Sequence, residues 1–131
     1  MKIKFSLLTI LFLSVGLWAT AQGGGPRRTV EERVKAVVKA FESNFKMDKE
    51  KLSKTEVIFT KFYKDQDKVR EELMSGGERP NFEAMREKMQ PLNEARDKEL
   101  KEILTEDQFK KWKDELEPAL GPGRGNRPSR Q

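Results

Sequence analysis

The chain has 131 residues, 37% of them charged and 8% aromatic, with no histidine and no cysteine. That composition excludes thiol nucleophiles, Ser-His-Asp chemistry, disulfides, and zinc sites built from thiolate or imidazole. The formal charge of +5 belongs to the ends: Lys2, Lys4, Arg27, Arg28, Arg124, Arg127 and Arg130 take seven of the 27 basic residues, so the body from Thr29 to Glu117 holds 20 Lys/Arg against 22 Asp/Glu.

Residues 1–21 have the layout of an export signal. Lys2 and Lys4 form a charged start, Phe5 to Trp18 an apolar run of 14 residues, and Ala19-Thr20-Ala21 a small-residue cleavage site. The run is short for a membrane span, which needs about 20 residues. The layout predicts cleavage before Gln22 and a mature chain of 110 residues outside the cytoplasm. That chain is expected to be soluble and without stable membrane insertion. With no cysteine it has no site for a lipid anchor, and its stability must come from helix packing, dimerisation or both. Gln22 to Arg28 and Gly121 to Gln131 are rich in Gly, Pro and Arg and carry almost nothing apolar to bury. Both are expected to be disordered tails, leaving residues 29–120 as one helical domain.

The domain predicts four helices in an all-α fold. Thr29 and Glu32 are spaced as a capping box, and Val30, Val34, Val37, Val38, Phe41 and Phe45 then fall on one narrow stripe at helical periodicity. This first helix is expected to end near Asn44. Asp48 caps the second, with Met47 placed to staple onto Leu52, and its apolar face carries Ile58, Phe59, Phe62, Tyr63, Val69 and Leu73 as far as Met74. Ser75-Gly76-Gly77 ends it, since glycine is costly inside a helix and suits its C-terminal cap. The third helix starts near Pro80 or Asn81 and carries Phe82, Met85, Met89, Leu92, Leu100 and Ile103. Pro91 inside it predicts a kink rather than a break. The fourth follows Thr105, carries Phe109, Trp112 and Leu116, and ends near Pro118 and Gly121.

Folding the second and third helices back at the glycines pairs Leu73 with Phe82, Val69 with Met85, Phe62 with Leu92 and Leu52 with Ile103. Two polar residues interrupt this seam: Gln66 falls opposite Met89, and Arg96 opposite Phe59. Either Arg96 stacks on Phe59 and reaches out to water, or the seam is an open, partly polar surface for partners. A hairpin some 35–40 Å long, at 1.5 Å per residue, buries little core alone, so a homodimer is expected.

The stretch Leu104-Thr105-Glu106-Asp107-Gln108-Phe109 is a complete helix-start device. Thr105 caps, Gln108 closes the box, Leu104 and Phe109 form a staple, and the acidic pair sits at the positive end of the helix dipole. Met47-Asp48-Lys49-Glu50-Lys51-Leu52 is a degenerate copy in which Asp48 keeps the cap and Lys51 lacks the reciprocal half. Physically, each stretch is a well-made helix start. Leu-Thr-x-x-Gln in a small exported helical protein also resembles the LTxxQ motif of the Spy/CpxP family of periplasmic stress proteins. The resemblance covers roughly Thr29 to Leu120. It implies an all-α hairpin that dimerises antiparallel into a cradle and binds unfolded or damaged envelope proteins without ATP, or restrains a sensor kinase. Zinc binding, known in some relatives, does not carry over to a chain without His or Cys, and no cofactor is expected.

The residues themselves point the same way. Phe59, Phe62, Tyr63, Met85 and Met89, with Arg96 among them, offer large rings and adaptable thioethers to varied partners. If they are core instead, substitutions there unfold the protein. Acidic pairs such as Glu83/Glu87 sit among Lys and Arg at helical spacing, which is a solvated, ion-paired surface and not an acid/base site, so no enzyme is expected. Basic-aromatic runs such as Lys61-Phe62-Tyr63-Lys64 fit an amphipathic helix better than a nucleic-acid surface. An unfolded-protein chaperone, a regulator docking on one partner, and an envelope spacer remain the three functional alternatives.

Overall fold

The computed structural model describes residues 27–77 and 81–121. The export-signal reading of residues 1–21, residues 22–26 of the first tail and residues 122–131 of the second lie outside that range. Every element among the described residues is helical. The first three are α1 (Val30–Phe45), α2 (Lys49–Met74) and α3 (Phe82–Ile103). The fourth helix is built in three unbroken parts: α4 (Glu106–Lys111), a π-helical stretch (Trp112–Leu116) and α5 (Glu117–Leu120).

Local chemistry explains each start. The Glu32 backbone N–H donates to Thr29 Oγ1 at 3.2 Å, and the Thr29 N–H donates to Glu32 Oε2 at 2.9 Å. At α2 the Lys51 N–H donates to Asp48 Oδ1 at 2.8 Å, with no return bond because a lysine side chain cannot accept. At α4 both halves are present: the Gln108 N–H reaches Thr105 Oγ1 at 3.3 Å and the Thr105 N–H reaches Gln108 Oε1 at 3.1 Å. Leu104 is buried, and Phe109 packs half-buried against the core with Lys101 of α3 over its ring, 5.0 Å from the centroid. Met47 and Leu52 also pack against the core from either side of the Asp48 cap.

The stops are equally local. Lys46 ends α1 in the left-handed region, with φ of 47°, and its N–H donates to the Glu42 carbonyl at 3.1 Å. Gly77, with φ of +73°, ends the turn after α2 in a conformation that L side chains seldom adopt. α3 runs through Pro91 as one helix. The fourth helix runs through Pro118 and ends at Leu120, beside Gly121, as expected. The wider turn just before Pro118 leaves it in the first turn of α5, where a missing N–H costs least.

α2 packs along α1 on one flank and along α3 on the other. The fourth helix closes the bundle through Trp112, 1% exposed. Its indole meets Phe41 of α1 and Phe59 of α2 edge-to-face, each at 5.2 Å between centroids, and those two rings meet each other at 5.8 Å. Such pairs add about 0.5–1.5 kcal/mol each beyond the area they bury. Val34, Val37, Ile58, Phe62, Leu100 and Leu104 complete the core. Thr55 joins it fully buried, its hydroxyl satisfied by the Lys51 carbonyl at 2.8 Å.

The two caps are expected to act alike. Thr105→Ala and Asp48→Ala each lower stability by about 1 kcal/mol, and Gln108→Ala by less, because each leaves a helix-end N–H without a protein acceptor. Denaturant midpoints check this; unmoved midpoints would remove the caps from the stability account.

Candidate functional site

The apolar stripe read from the sequence divides into two parts. Phe59 is fully buried among Phe41, Tyr63 and Trp112, and Phe62 is nearly so against Phe59 and Tyr63. As candidates for an exposed binding face they are corrected: they are core. Tyr63 is half-buried beneath the Arg33 guanidinium, 4.7 Å from the ring centroid. Met85 and Met89 are half-buried.

Arg96 also departs from expectation. It is only 5% exposed, so it does not reach out to water. Its guanidinium lies 4.6 Å from the Phe62 centroid and 5.5 Å from that of Trp112, rather than on Phe59. The reason is directional. Side chains on a helix lean toward its N-terminus, and the N-terminus of α3 is the hairpin tip. A long side chain at Arg96 therefore meets α2 nearly one turn nearer the tip than its Cα register suggests. Gln66 likewise turns away from Met89: its Oε1 accepts from Arg33 Nη1 of α1 at 3.1 Å. Asp67 takes the other end of the same guanidinium.

Arg96 is held by a ring of alternating charges. Its Nε and Nη2 donate to Asp97 Oδ1 at 2.9 and 2.7 Å, and Nη2 donates to Glu117 Oε1 at 2.5 Å. Lys113 Nζ closes the ring on Asp97 Oδ2 at 3.0 Å and Glu117 Oε2 at 2.5 Å. The π-helical stretch brings Lys113 and Glu117 onto α3 together while Trp112 faces the core. Neither Lys113 nor Glu117 was singled out from the sequence. Their signal, an i,i+4 Lys-Glu pair beside a tryptophan, is common to many surface helices.

The second part of the stripe lies beyond the core. Among the described residues, the core and the side chains packed on it reach Tyr63 along α2 and Met89 along α3. α1, with 16 residues, is too short to follow the 26 of α2, and Val30 already begins it level with the Gln66–Asp67 pair that binds Arg33. The fourth helix meets α3 at Arg96 and Asp97, well short of its start. Among the described residues, the end of the hairpin thus stands without a third helix over it. It carries Val69, Leu73 and Met85 half-buried, Met74 51% exposed and Phe82 82% exposed. One cross-hairpin ion pair, Lys88 Nζ to Glu72 Oε2 at 3.1 Å, ties its two strands of helix together. Comparing helix lengths is the sequence signal that picks out these residues.

Two groups near Arg96 titrate unusually. Burial lifts the Tyr63 hydroxyl above the usual phenol range, against the opposing pull of Arg33 and Arg96. For Lys113, burial by itself disfavours the ammonium, but hydrogen bonds and charge from Glu117 and Asp97 outweigh it and hold the pKa above the usual lysine range. Both pKa values are raised in the folded state. The stability they contribute is therefore complete below their unfolded values, near 10 and 10.4, and is lost as pH rises through the folded values. Tyr63 is the one tyrosine in the chain, so tyrosinate absorbance against pH reads it directly. Its midpoint is expected above that of free tyrosine and to coincide with loss of helix; a midpoint at the free value would contradict its burial. Removing both carboxylates, as Asp97→Ala with Glu117→Ala, strands the Arg96 charge in the core and is expected to cost about 3–5 kcal/mol. Arg96→Met removes the charge itself and costs less. Chemical denaturation of the two variants gives the order.

Over residues 26–112 the chain matches a domain of unknown function, DUF4890. No curated protein and no solved structure matches the chain. The family match takes in α1, α2, α3 and the Thr105 capping box, and it stops at the indole that fixes them together. The chain belongs to the DUF4890 domain family.

Proposed function

We propose that the protein is an ATP-independent chaperone of the periplasm, exported by residues 1–21, that holds unfolded or damaged envelope proteins on the uncovered end of its helical hairpin. One observation carries this reading. Met74, Phe82 and Met85 form an apolar end that no third helix covers among the described residues, joined to a bundle whose buried core does not include them. A surface of thioethers and one exposed ring adapts to clients of varied sequence, because methionine has three rotatable bonds and a polarizable sulfur. The intact Leu104-Thr105-x-x-Gln108 device supports the same reading through its resemblance to the Spy/CpxP motif. Within it, Thr105, Gln108, Leu104 and Phe109, like Met47, Asp48 and Lys51 in the degenerate copy, act as helix-start residues and not as client contacts. The same resemblance supports a homodimer as the working form.

The test is aggregation of several unrelated unfolded proteins, followed by light scattering, with no nucleotide or metal added. Phe82→Ser, Met74→Ser and Met85→Ser together should remove most of the protection while the unfolding midpoint stays near that of the parent. Phe59→Ser, by contrast, should unfold the protein, since emptying a buried phenylalanine site costs about 3–5 kcal/mol. Protection unchanged in the triple variant would move client binding elsewhere. No protection of any client, with one envelope partner recovered by cross-linking, would turn the reading to a regulator acting on a sensor kinase.

A further inference from the structure

A groove of about 920 Å³ opens between the start of α1, the second half of α2, Asn93 and Arg96 of α3, and the end of the fourth helix. Tyr63, Phe62 and Trp112 line it together with Arg27 and Arg28 ahead of α1 and Arg70 on α2. Arg33 and Arg96 also line it, each already paired with carboxylates. We infer that this groove binds a short, extended, acidic segment of another polypeptide.

Charge selects the occupant. Asp67, Glu71 and Glu117 are the acidic residues lining the groove, and against five arginines they leave it positive. Asp67 and Glu117 are engaged by Arg33 and Arg96. Among the described residues, Arg70 has only a long contact to Asp67, 4.0 Å. Burial, first, and then the neighbouring charges of Arg27 and Arg33 push its pKa below the usual arginine range. An incoming carboxylate relieves that crowding, and an arginine fork matches it in a bidentate pair. Both tails of this chain carry arginine, Arg27 and Arg28 before the bundle and Arg124, Arg127 and Arg130 after it, so neither suits the groove.

Shape and lining separate a peptide from a polyphosphate. From Phe62 to Glu71 the lining follows α2 over nine helical rises, about 14 Å at 1.5 Å each. That matches about four extended residues. The carboxylates set between the arginines repel a continuous phosphate backbone, but they accept hydrogen bonds from peptide N–H groups. The half-buried Tyr63 ring gives an apolar side chain of the peptide a surface to lie on. This site is separate from the hairpin end, and its occupancy does not depend on the chaperone reading.

The probe is a capped hexapeptide alternating glutamate and leucine, titrated calorimetrically into the purified protein at low salt. Controls are the same peptide with glutamine for glutamate, free glutamate, and a single-stranded oligonucleotide. Binding of the acidic peptide is expected, weakening as salt rises and about tenfold weaker for the glutamine version, the loss of one charge-assisted contact. Arg70→Gln should weaken it about as much. Arg28→Gln, which lies outside every helix, should also weaken it with no change in folding. Equal binding of the acidic and glutamine peptides would overturn the proposal, as would affinity untouched by both arginine variants or tighter binding of free glutamate or the oligonucleotide. Client protection measured on the same arginine variants should be unchanged. That keeps failure of the groove distinct from failure of the chaperone reading.

Discussion

Phe41, Phe59 and Arg96 come from three different helices, and the Trp112 indole is the ring they share. Phe41 and Phe59 meet it edge-on at 5.2 Å, and the Arg96 guanidinium lies 5.5 Å from its centre. α1 and α3 have few dealings with one another except through this point. The edge-to-face geometry matters because aromatic quadrupoles favour it over stacked faces, so the indole sets the angles at which α1, α2 and the fourth helix meet. Its N–H is buried with no acceptor among the described residues. A buried unpaired donor costs about 1–3 kcal/mol, which is tolerable only where the packing it permits returns more.

Placing a tryptophan there obliges the fourth helix to bend its own rules. In the π-helical stretch the Glu117 N–H bonds to the Trp112 carbonyl five residues back. That one extra residue per turn lets Trp112 point into the core while Lys113 and Glu117 both reach α3. The charges then solve a problem the core creates. Arg96 stacks on Phe62 and Trp112, so its charge cannot reach open water, and burying it alone would be prohibitive. Asp97 beside it and Glu117 across from it neutralise it, and Lys113 balances the surplus carboxylate. The aromatic hub and the ion ring are thus one device, built from the same five-residue turn.

What the sequence made legible follows from how local each feature is. The Thr29, Asp48 and Thr105 caps depend on residues three apart, and all three were placed correctly from spacing alone, as were the ends of α1 and α2 to within a residue. Phe59 and Phe62 could be put on the apolar face of α2 but not inside or outside the bundle, because that depends on whether Trp112 of a helix 50 residues away covers them. Thr55 was passed over because its polarity hides a hydroxyl that the Lys51 carbonyl satisfies within the same helix. Arg96 was read against Phe59 because Cα register ignores the lean of long side chains. The groove escaped notice altogether: Arg28, Arg33 and Arg70 come from three segments, and only the fold sets them around Tyr63.

The division between a tightly fixed base and an uncovered end also explains why the helices have such unequal lengths. α1 and the fourth helix are long enough to enclose the aromatic hub and no longer. α2 and α3 run on past them, held among the described residues by each other and by the Lys88–Glu72 pair. Had α1 been extended to cover Val69 and Leu73, the chain would have gained apolar burial, at about 25 cal/mol per Å². Leaving Met74, Phe82 and Met85 uncovered forgoes that stabilisation, and a bundle fixed elsewhere by Trp112 can tolerate the loss. Met74, Phe82 and Met85 lie outside the buried core that Trp112 closes, so a change in their packing does not empty a core site.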